Sequence, residues 1–436
     1  MSSNATVIVG TPYTRVTDMN GVHRLAVDAR LSTISTVGDI TATADAFGRL
    51  RVSSPASIFD SKQVYDDQPL LFTPHTSGTG STSYVQSKSA TTLTGGAGVG
   101  RALRQSKRYF NYQPGKSQLV FTTFNLNDSC ENVTKSVGYY DDDNGIFFKL
   151  DSTGPSVVRR SSVGGSVSDL VKSRAEWSID PLDGSGPSGI DLDFNTVQIL
   201  VIDFQWLGVG AVKIGFCFGQ SIVYCHQFEQ ANIGAVVYAQ TPNLPVRWEV
   251  VNSAAPGVGT PSIDAICCSV QSEGGASPLA VQRTGSRGVT GASANTTLQS
   301  MLSMRLKGAF NRATVFPLNG SVVTTDTGVD YYGQLILNPT FGTALSFTGV
   351  TNSSIELSDT VTTVVGGTII GEFYGISGAP GKSGGASITT TADLNSVLAL
   401  ASDYAGTQDI VTVAVRTISG TSASSMFALI DWLELL

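Results

Sequence analysis

Three consecutive aspartates followed by an asparagine and a glycine, Asp141 to Gly145, stand between two aromatic segments of the chain. Several carboxylate and amide oxygens on one tight loop could bind calcium. The segment lacks the glycine at the sixth position and the distant glutamate of an EF-hand loop, and Asp and Asn side chains in a hairpin turn also bond their own backbone. The pattern favours a structural turn, with a metal site as the alternative, and the segment Asp180 to Gly186 receives the same interpretation.

Paired carboxylates a few ångströms apart, one with a raised pKa, would suit the hydrolysis of glycosidic bonds. Four acidic residues in or near predicted strands could converge in the fold: Glu176, Asp203, Glu229 and Glu249. In alternating strands such residues more often face the surface. We therefore predict no catalytic residues and a non-enzymatic protein, and keep a glycan-cleaving enzyme as an alternative.

A glycine-rich loop from Gly375 to Gly385 contains two short matches to known motifs. Gly381, Lys382 and Ser383 resemble the end of a phosphate loop, but the required first glycine is replaced by Ile376, and no helix pattern follows. Ser383 also fits a nucleophile elbow, but the histidine of that motif lies downstream of its serine, and no histidine follows His226. We interpret both matches as chance and predict no nucleotide or other cofactor.

Histidine and cysteine chemistry is predicted to be absent. Besides His226, the chain has His23 near its start and His75 beside a polar tract. Cys225 cannot form a dyad with His226, because neighbours on a strand face opposite ways. No zinc-ligand spacing exists, and the odd number of cysteines predicts buried free thiols. The five are Cys130, Cys217, Cys225, Cys267 and Cys268.

The register of the predicted hairpin GFCFGQSIVYC places Cys217 opposite Ile222, not opposite Cys225. Cys267 and Cys268 are adjacent in a strand and should point to opposite sheet faces. Neither arrangement allows a disulfide bond.

One basic segment, RALRQSKRYF, carries Arg101, Arg104, Lys107 and Arg108. A net charge of −7 argues against a nucleic-acid partner, because binding to phosphates needs clustered cations. We predict that the segment forms a solvated face or contacts an acidic neighbouring subunit.

Three aromatic residues, Phe204, Trp206 and Trp248, could stack on sugar rings. They alternate with aliphatic residues at the period of a strand, so most of them should belong to the core. Glycan binding through exposed loop aromatics remains an open alternative without a location.

Composition points to a β-rich structural protein. Only 14% of the 436 residues are charged, and 47 glycines accompany many serines and threonines. The length predicts two or three domains. No apolar run is long enough for a membrane span and the N-terminus lacks a signal-peptide pattern, so we expect the chain to be made in a cytoplasm and to stay soluble there.

The elements that must position these residues are mostly strands. From Ser117 to Ser272 strands and turns follow one another almost without interruption, which predicts an all-β fold with a lectin-like or jelly-roll antiparallel β-sandwich. We place this sandwich at residues 57–275 and a second, mostly β domain at 276–436. In the second domain, Asp393 to Asp403 is predicted to be a helix, and Leu298 to Leu306 could be helix or strand.

Residues 1–56 are predicted to form an N-terminal attachment arm. They contain two similar phrases, DMNGVHRLAV and DAFGRLRV, each typical of a turn that leads into a short strand. Such short strands cannot bury a core alone, so we expect them to pack against another subunit or an anchoring protein; an edge hairpin of the main domain is the alternative.

Several long phrases are similar to a family of virion structural proteins of tailed bacteriophages that also occurs in large algal viruses. They include GRLRVSSPASIFDSKQVYDDQPLLF, RYFNYQPGKSQLV, GYYDDDNGIFF, DFQWLGVG and TPNLPVRWEV. The resemblance spans roughly Gly48 to Gly275. It implies a fibre, spike or head-associated protein on the virion surface, with other capsid or tail proteins as partners.

We therefore expect a homo-oligomer, most simply a trimer, that is anchored through its arm and contacts a host surface glycan. A capsid decoration protein with no host role is the alternative within the same class.

Overall fold

The computed structural model describes residues 14–17, 23–26, 55–275, 279–376, 384–389, 398–418 and 422–435. Regular structure in these ranges consists of 30 β-strands and three short 3-10 turns, at Gln86–Lys88, Arg174–Glu176 and Gly308–Phe310. These ranges contain no α-helix, and thus no helix that is long and apolar enough to cross a membrane. The predicted all-β class is confirmed.

The first 17 strands form a terminal hairpin and a large sandwich. In chain order they are β1 (Thr14–Thr17), β2 (His23–Ala26), β3 (Ala56–Lys62), β4 (Phe72–Gly78), β5 (Ser81–Val85), β6 (Ala90–Thr94), β7 (Gly100–Ser106), β8 (Gln118–Asn125), β9 (Val133–Tyr140), β10 (Gly145–Asp151), β11 (Gly154–Ser161), β12 (Ser168–Ser173), β13 (Gln198–Phe204), β14 (Val212–Phe218), β15 (Ser221–Phe228), β16 (Val246–Asn252) and β17 (Ser262–Ser272).

Two antiparallel sheets make this first sandwich. A seven-stranded sheet has the order β12-β11-β10-β9-β16-β7-β4, and an eight-stranded sheet has the order β15-β14-β13-β8-β17-β6-β5, with β3 paired to β17. Strand alternation decides which side chains meet between them. In β16, Val246, Trp248 and Val250 point into the buried core, and Arg247 and Glu249 point to the outer face of the seven-stranded sheet.

The remaining 13 strands build a second sandwich. They are β18 (Ala280–Ser286), β19 (Ala292–Ala294), β20 (Gln299–Leu306), β21 (Val315–Thr324), β22 (Tyr331–Leu337), β23 (Thr340–Phe341), β24 (Thr348–Gly349), β25 (Ile355–Ser358), β26 (Val364–Val365), β27 (Thr368–Gly375), β28 (Gly384–Thr389), β29 (Ile410–Thr417) and β30 (Ala423–Leu435).

A five-stranded sheet in this second sandwich has the order β18-β30-β21-β28 with β19 on β30, and a six-stranded sheet has the order β24-β25-β20-β29-β22-β27. The small ribbon β23-β26 accompanies them. A separate core includes Trp432, Tyr331 and Met304, and none of its buried members lies in the first sandwich. The predicted antiparallel sandwich followed by a mostly β C-terminal region is confirmed.

The predicted helix at Asp393 to Asp403 is wrong where the structure describes it. Residues 393–397 lie outside the described residues, and 398–403 are not helical. The backbone N–H of Leu400 instead donates to the carbonyl of Val315 at 2.8 Å, as an isolated β-bridge, and the Leu400 side chain is buried. The apolar spacing that suggested a helix face reflects burial of an extended segment.

The ambiguous segment Leu298 to Leu306 is resolved as strand β20. Residues Ser300 to Met304 are all buried, because β20 is an inner strand between β25 and β29. Burial on both faces removes the alternation by which a strand is usually recognised.

Within the predicted arm, residues 1–56, the structure describes β1 and β2, which pair as an antiparallel hairpin, and the last two residues, of which Ala56 begins β3. The strand predicted after the first Asp-x-x-Gly phrase is therefore present at His23–Ala26. The second phrase, at residues 45–52, lies outside the described residues.

Candidate functional site

The acidic segment forms the turn between β9 and β10. Oδ1 of Asp141 accepts hydrogen bonds from the backbone N–H groups of Asp143 and Asn144, both at 2.8 Å. The turn ends at Gly145, whose φ of 140° would be strained for other residues and where a Cβ would lie 2.2 Å from the Cβ of Tyr140. The side-chain-to-backbone bonds are those of the structural turn that the sequence favoured.

Two arginines on the outer face of the seven-stranded sheet contact Asp142 of this turn. Nη1 of the buried Arg247 lies 2.6 Å from Asp142 Oδ1, and Nη2 of Arg101 lies 2.8 Å from the same oxygen. Arg101 also pairs with Glu249, and the hydroxyl of Tyr140 donates to Glu249 at 3.0 Å. Neighbouring strands β7, β16 and β9 supply these residues, because positions directly opposite on one face lie side by side.

Tyr404 of the second sandwich completes this cluster. Its hydroxyl donates to Asp142 Oδ2 and accepts from Arg101 Nη1, both at 2.6 Å. Its ring packs on the imidazole of His75 with centroids 4.3 Å apart, and the guanidinium carbons of Arg101 and Arg247 lie 5.2 and 5.6 Å from its centroid. One tyrosine thus joins an acid, two arginines and a histidine of the other sandwich.

Arg312 makes a second set of contacts across the same junction. Its Nη2 lies 2.8 Å from Asp141 Oδ2 and 2.7 Å from Asp143 Oδ2, and its guanidinium carbon is 5.6 Å from the ring centroid of Tyr109. The hydroxyl of Thr314 donates to the carbonyl of Tyr109 at 3.0 Å. We refer to Asp141, Asp142, Asp143, Arg101, Arg247, Tyr404 and Arg312 together as the junction cluster.

The electrostatics of the junction cluster favour its charged forms. Burial alone would raise the pKa of Asp142, but the guanidinium of Arg247 and the hydrogen bond from Tyr404 hold it well below its usual value. Burial would lower the pKa of Arg101, but Glu249 and Asp142 raise it above the usual value. For Tyr404, burial and its bond to the Asp142 carboxylate raise the pKa. At neutral pH Asp142 is ionised, and Tyr404 keeps its proton.

The basic segment, predicted to form a solvated face or to contact an acidic neighbouring subunit, instead lies along this junction within the chain. Arg101 belongs to the junction cluster, Lys107 Nζ is 4.0 Å from Asp409 Oδ1, and Arg108 lies 5.0 Å from the ring centroid of Phe316. Arg104 instead stays in its own sandwich, where it lies over the Phe72 ring and donates to the carbonyl of Asp67. The neighbour contacted by this segment is the second sandwich of the same chain.

The four candidate carboxylates have separate partners. Glu176 caps a 3-10 turn by accepting from Ser173, and Glu229 accepts from Gln227 at 2.9 Å. Asp203 is buried and accepts from Ser117 at 2.5 Å and from Tyr224 at 3.2 Å.

Glu249, bound to Arg101 and Tyr140, is the one of the four in contact with the junction cluster. Among the described residues, no group of three or more His, Cys, Asp or Glu side chains could hold a metal ion.

Asp180 and His226 have structural contacts. The carboxylate of Asp180 accepts from the backbone N–H groups of Leu182 and Ser188, each at 2.8 Å, so its segment is also a turn. Nδ1 of His226 accepts from the backbone N–H of Ser178 at 3.1 Å, and burial lowers the pKa of His226 to about 4. This imidazole is neutral at physiological pH.

The remaining candidate residues are described only in part or lie outside the described residues. His23 is in β2, but its side chain is not described. Gly381, Lys382 and Ser383 lie outside the described residues, and Gly385 is the second residue of β28, which pairs with β21. The interpretation of that glycine-rich loop stays a prediction.

The cysteines are free, as predicted, although two of the five are only half-buried. Cys217 pairs with Ile222 in the β14–β15 hairpin, which confirms the predicted register. Cys268 points into the core, and Cys267 on the opposite face is partly accessible. Cys217 is the other half-buried thiol, and Cys130 and Cys225 are buried.

The three aromatic candidates for sugar stacking pack in or against the core of the first sandwich. Phe204 and Trp248 are in the core of the first sandwich, as predicted for most of them. Trp206 is partly buried, and its indole N–H donates to the carbonyl of Ala239 at 3.2 Å.

Sequence reasoning missed Arg247, Arg312 and Tyr404 as members of the junction cluster. Tyr404 is 262 positions from Asp142, and no local motif links the two. Alternation within LPVRWEVV could have assigned Arg247 to the face opposite Trp248, and hence to the outer surface of the sheet.

The fold defines the chain as a protein of two antiparallel β-sandwiches. No family model and no curated protein sequence matches it. Among solved structures, the carbohydrate recognition domain of Emp47p is 10% identical with a TM-score of 0.31, and the match covers 50% of this chain and 96% of that one.

Two further structures give similar values. The carbohydrate esterase of the Shiga toxin-encoding bacteriophage phi24B is 10% identical with a TM-score of 0.29, covering 50% of this chain and 99% of its own. A glycosyl hydrolase family protein from Mycobacterium fortuitum is 7% identical with a TM-score of 0.32, covering 49% and 99%.

Proposed function

We propose that this chain is a non-enzymatic structural protein of a virus particle, an oligomeric fibre or spike on the virion surface. It is anchored through residues 1–56 to other capsid or tail proteins and presents its second sandwich to the host surface and its glycans. It is assembled in the host cytoplasm as a homo-oligomer, most simply a trimer.

The observation that carries this proposal is that the charged side chains of the candidate site bind one another and hold the two sandwiches together. The acidic turn and Arg101 of the basic segment, which could have served a metal or a substrate, bind each other and residues of the second sandwich. An ion pair with low exposure on one partner, such as that of Arg312 with Asp141, fixes two bodies more firmly than a fully exposed pair does. A fixed pair of sandwiches suits a load-transmitting appendage.

The resemblance of residues 48–275 to virion structural proteins supports the assignment of the chain to a virus particle. Multiple copies on one particle would give avidity without high affinity at each site. An exposed strand edge can pair with another chain and cause aggregation, and charged side chains are one protection against this. A weakly charged chain lacks much of that protection, so packing between subunits would cover its edges.

The location is tested by immunogold labelling of intact particles with an antibody against the second sandwich. Labelling at a fibre or spike tip supports the proposal, and uniform labelling over the head would assign the decoration role instead. Labelling of no particle component would overturn the virion assignment. Release of reducing sugars from host envelope polysaccharide by the purified full chain would overturn the non-enzymatic part.

The anchoring role is tested with a chain that begins at Ser54, just before β3. Because β3 pairs with β17 in the eight-stranded sheet, the truncation must keep it. We expect this chain to melt cooperatively, to keep the oligomeric mass of the full chain by light scattering, and to fail to join particles. Incorporation at the full level would show that the anchor lies elsewhere.

A further inference from the structure

Two tyrosines lie side by side on the outer face of the six-stranded sheet. Tyr332 of β22 is directly opposite Tyr374 of β27, and their ring centroids are 5.0 Å apart with an interplanar angle of 39°. Tyr374 is 70% exposed. Their sequence neighbours Tyr331 and Phe373 point the other way, into the core.

Polar groups surround this pair on the same face. Gln334 lies opposite Glu372, two positions along each strand from the tyrosines. Nε2 of Gln334 donates to Glu372 Oε1 at 3.0 Å and to the Tyr332 hydroxyl at 2.8 Å, and that hydroxyl donates to Glu372. Arg416, opposite Tyr332 on β29, places its guanidinium carbon 5.2 Å from the Tyr332 ring centroid. We name Tyr332, Gln334, Glu372, Tyr374 and Arg416 the tyrosine platform.

Another part of the same sheet face is covered by the β23-β26 ribbon. Farther along β22 and β29, Ile336 and Ala414 are buried under Val364 of the β23-β26 ribbon. The tyrosine platform begins where this cover ends. Cross-strand aromatic pairs do stabilise sheets, but stability alone does not require an exposed ring beside an exposed Glu372 and an exposed Arg416.

The chemistry of the tyrosine platform fits a saccharide. Amphipathic aromatic rings offer an apolar face against which the C–H face of a pyranose can pack. An ionised carboxylate accepts several hydrogen bonds, an amide both donates and accepts, and a guanidinium donates. The hydrogen bonds from Tyr332 and Gln334 lower the pKa of Glu372, so it is an acceptor at neutral pH. Glu372 and Arg416 place opposite charges on the two strands that flank β22, and charges of both signs on one face disfavour polyanions and polycations alike.

We propose that the tyrosine platform binds an uncharged saccharide, with Tyr374 stacking on a sugar ring and Glu372, Gln334 and Arg416 bonding its hydroxyls. The proposal rests on the proposed function, because it locates the surface that would contact host glycans. It requires no reaction at the site.

The test uses the full chain on an array of neutral and acidic oligosaccharides, followed by calorimetric titration with the neutral oligosaccharide that gives the strongest signal. We expect Tyr374→Ala to weaken binding at least tenfold and Tyr374→Trp to retain it, because stacking is kept. Tyr65→Ala is the matched control: this tyrosine is 87% exposed on the first sandwich, and its loss should leave binding unchanged.

Thermal melts of each variant verify that folding is unaffected, as expected for a largely exposed side chain. Binding of no neutral oligosaccharide by the full chain, or equal binding by Tyr374→Ala, would overturn the platform. Either result is distinguishable from failure of the proposed function, because particle labelling reads out location without any glycan. A Tyr374→Ala variant that loses its oligomeric mass while the full chain binds no glycan would identify the platform as a subunit contact instead.

Discussion

Tyr404 combines three kinds of contact in one side chain. Its hydroxyl is both donor and acceptor, its ring packs on His75, and two guanidinium groups lie near its face. Hydrogen bonds to charged partners are stronger than neutral ones, and loss of a partner leaves the remaining groups to be resolvated. A single atom, the phenolic oxygen, is therefore a sensitive point of the junction cluster.

Tyr404→Phe removes only that oxygen. We expect the free energy of unfolding of the second sandwich to fall by about 1–2 kcal/mol, because Asp142 and Arg101 each lose a hydrogen bond. Urea unfolding followed by circular dichroism measures the change. Tyr65→Phe, at an exposed position, is the control and should change it by less than about 0.5 kcal/mol. Equal effects of the two variants would contradict the junction contacts.

Asp142 makes stability depend on pH. The pKa of Asp142 in the folded protein lies well below its ordinary value. Its contribution to stability is therefore fully present above the ordinary pKa and is lost as the pH falls through the lower folded value. We expect Asp142→Asn to lower the melting temperature near neutral pH and to converge with the unmodified chain in strong acid. Asp60→Asn, at an exposed position, is the control and should leave the melting temperature near neutral pH unchanged. An unchanged difference at every pH would disprove the titration of Asp142.

At this scale the sequence predicted which residues form turns and not which residues they meet. The Asp141 turn follows from local chemistry, since Asp and Asn bond their own backbone within a few positions. Its partner Arg312 comes from another sandwich, and the encounter depends on how two folded bodies pack.

Strands of the first sandwich show how register follows from local pattern. The turn at Gly219, with φ of 61°, sets the pairing of β14 with β15, and the pairing keeps Cys217 away from Cys225. Alternation likewise separates Cys267 from Cys268. Where a hairpin turn and alternation are both visible, the sequence specified the element well.

The hairpin register and strand alternation predict five free thiols. Titration with a thiol reagent under denaturing, non-reducing conditions should find all five, and in the native protein Cys217 and Cys267 should react before the three buried thiols. Burial raises the pKa of both half-buried thiols, so even they should react slowly. Cys217→Ser should remove one of the two faster native reactions. A shortfall of two thiols after denaturation would reveal a disulfide bond.

Elements defined by long-range contacts were harder to predict. The segment ending at Asp403 has apolar residues at helical spacing, but a β-bridge to Val315 determines the conformation of Leu400. Strand β20 lacks alternation because both of its faces are buried. In both cases tertiary contacts override the local periodicity.

At the scale of the whole molecule, the described residues form two large hydrophobic cores, one in each sandwich, and the junction cluster joins the two sandwiches. Each core is large enough to fold as a cooperative unit, so the junction determines whether the two unfold together. Composition and strand pattern predicted the β class and a second β region, since both arise from many residues at once. The contact between the sandwiches depends on a few side chains that are far apart in the chain. No pattern over many residues marks them, so the sequence did not predict the contact.

The coupling of the two sandwiches is tested by replacing Tyr404 and Arg312, the two residues that the second sandwich contributes to the junction cluster. In the variant Tyr404→Ala/Arg312→Ala we expect the lower-melting calorimetric transition to move down by roughly 2–4 °C for each kcal/mol lost, and to separate from the other. The ratio of calorimetric to van't Hoff enthalpy should rise, because one cooperative unit becomes two. The matched control Tyr65→Ala/Lys172→Ala removes an exposed tyrosine and a cation in an exposed ion pair within the first sandwich. If both double variants give the same thermogram as the unmodified chain, the junction cluster does not couple the sandwiches, and the rigid-appendage argument fails with it.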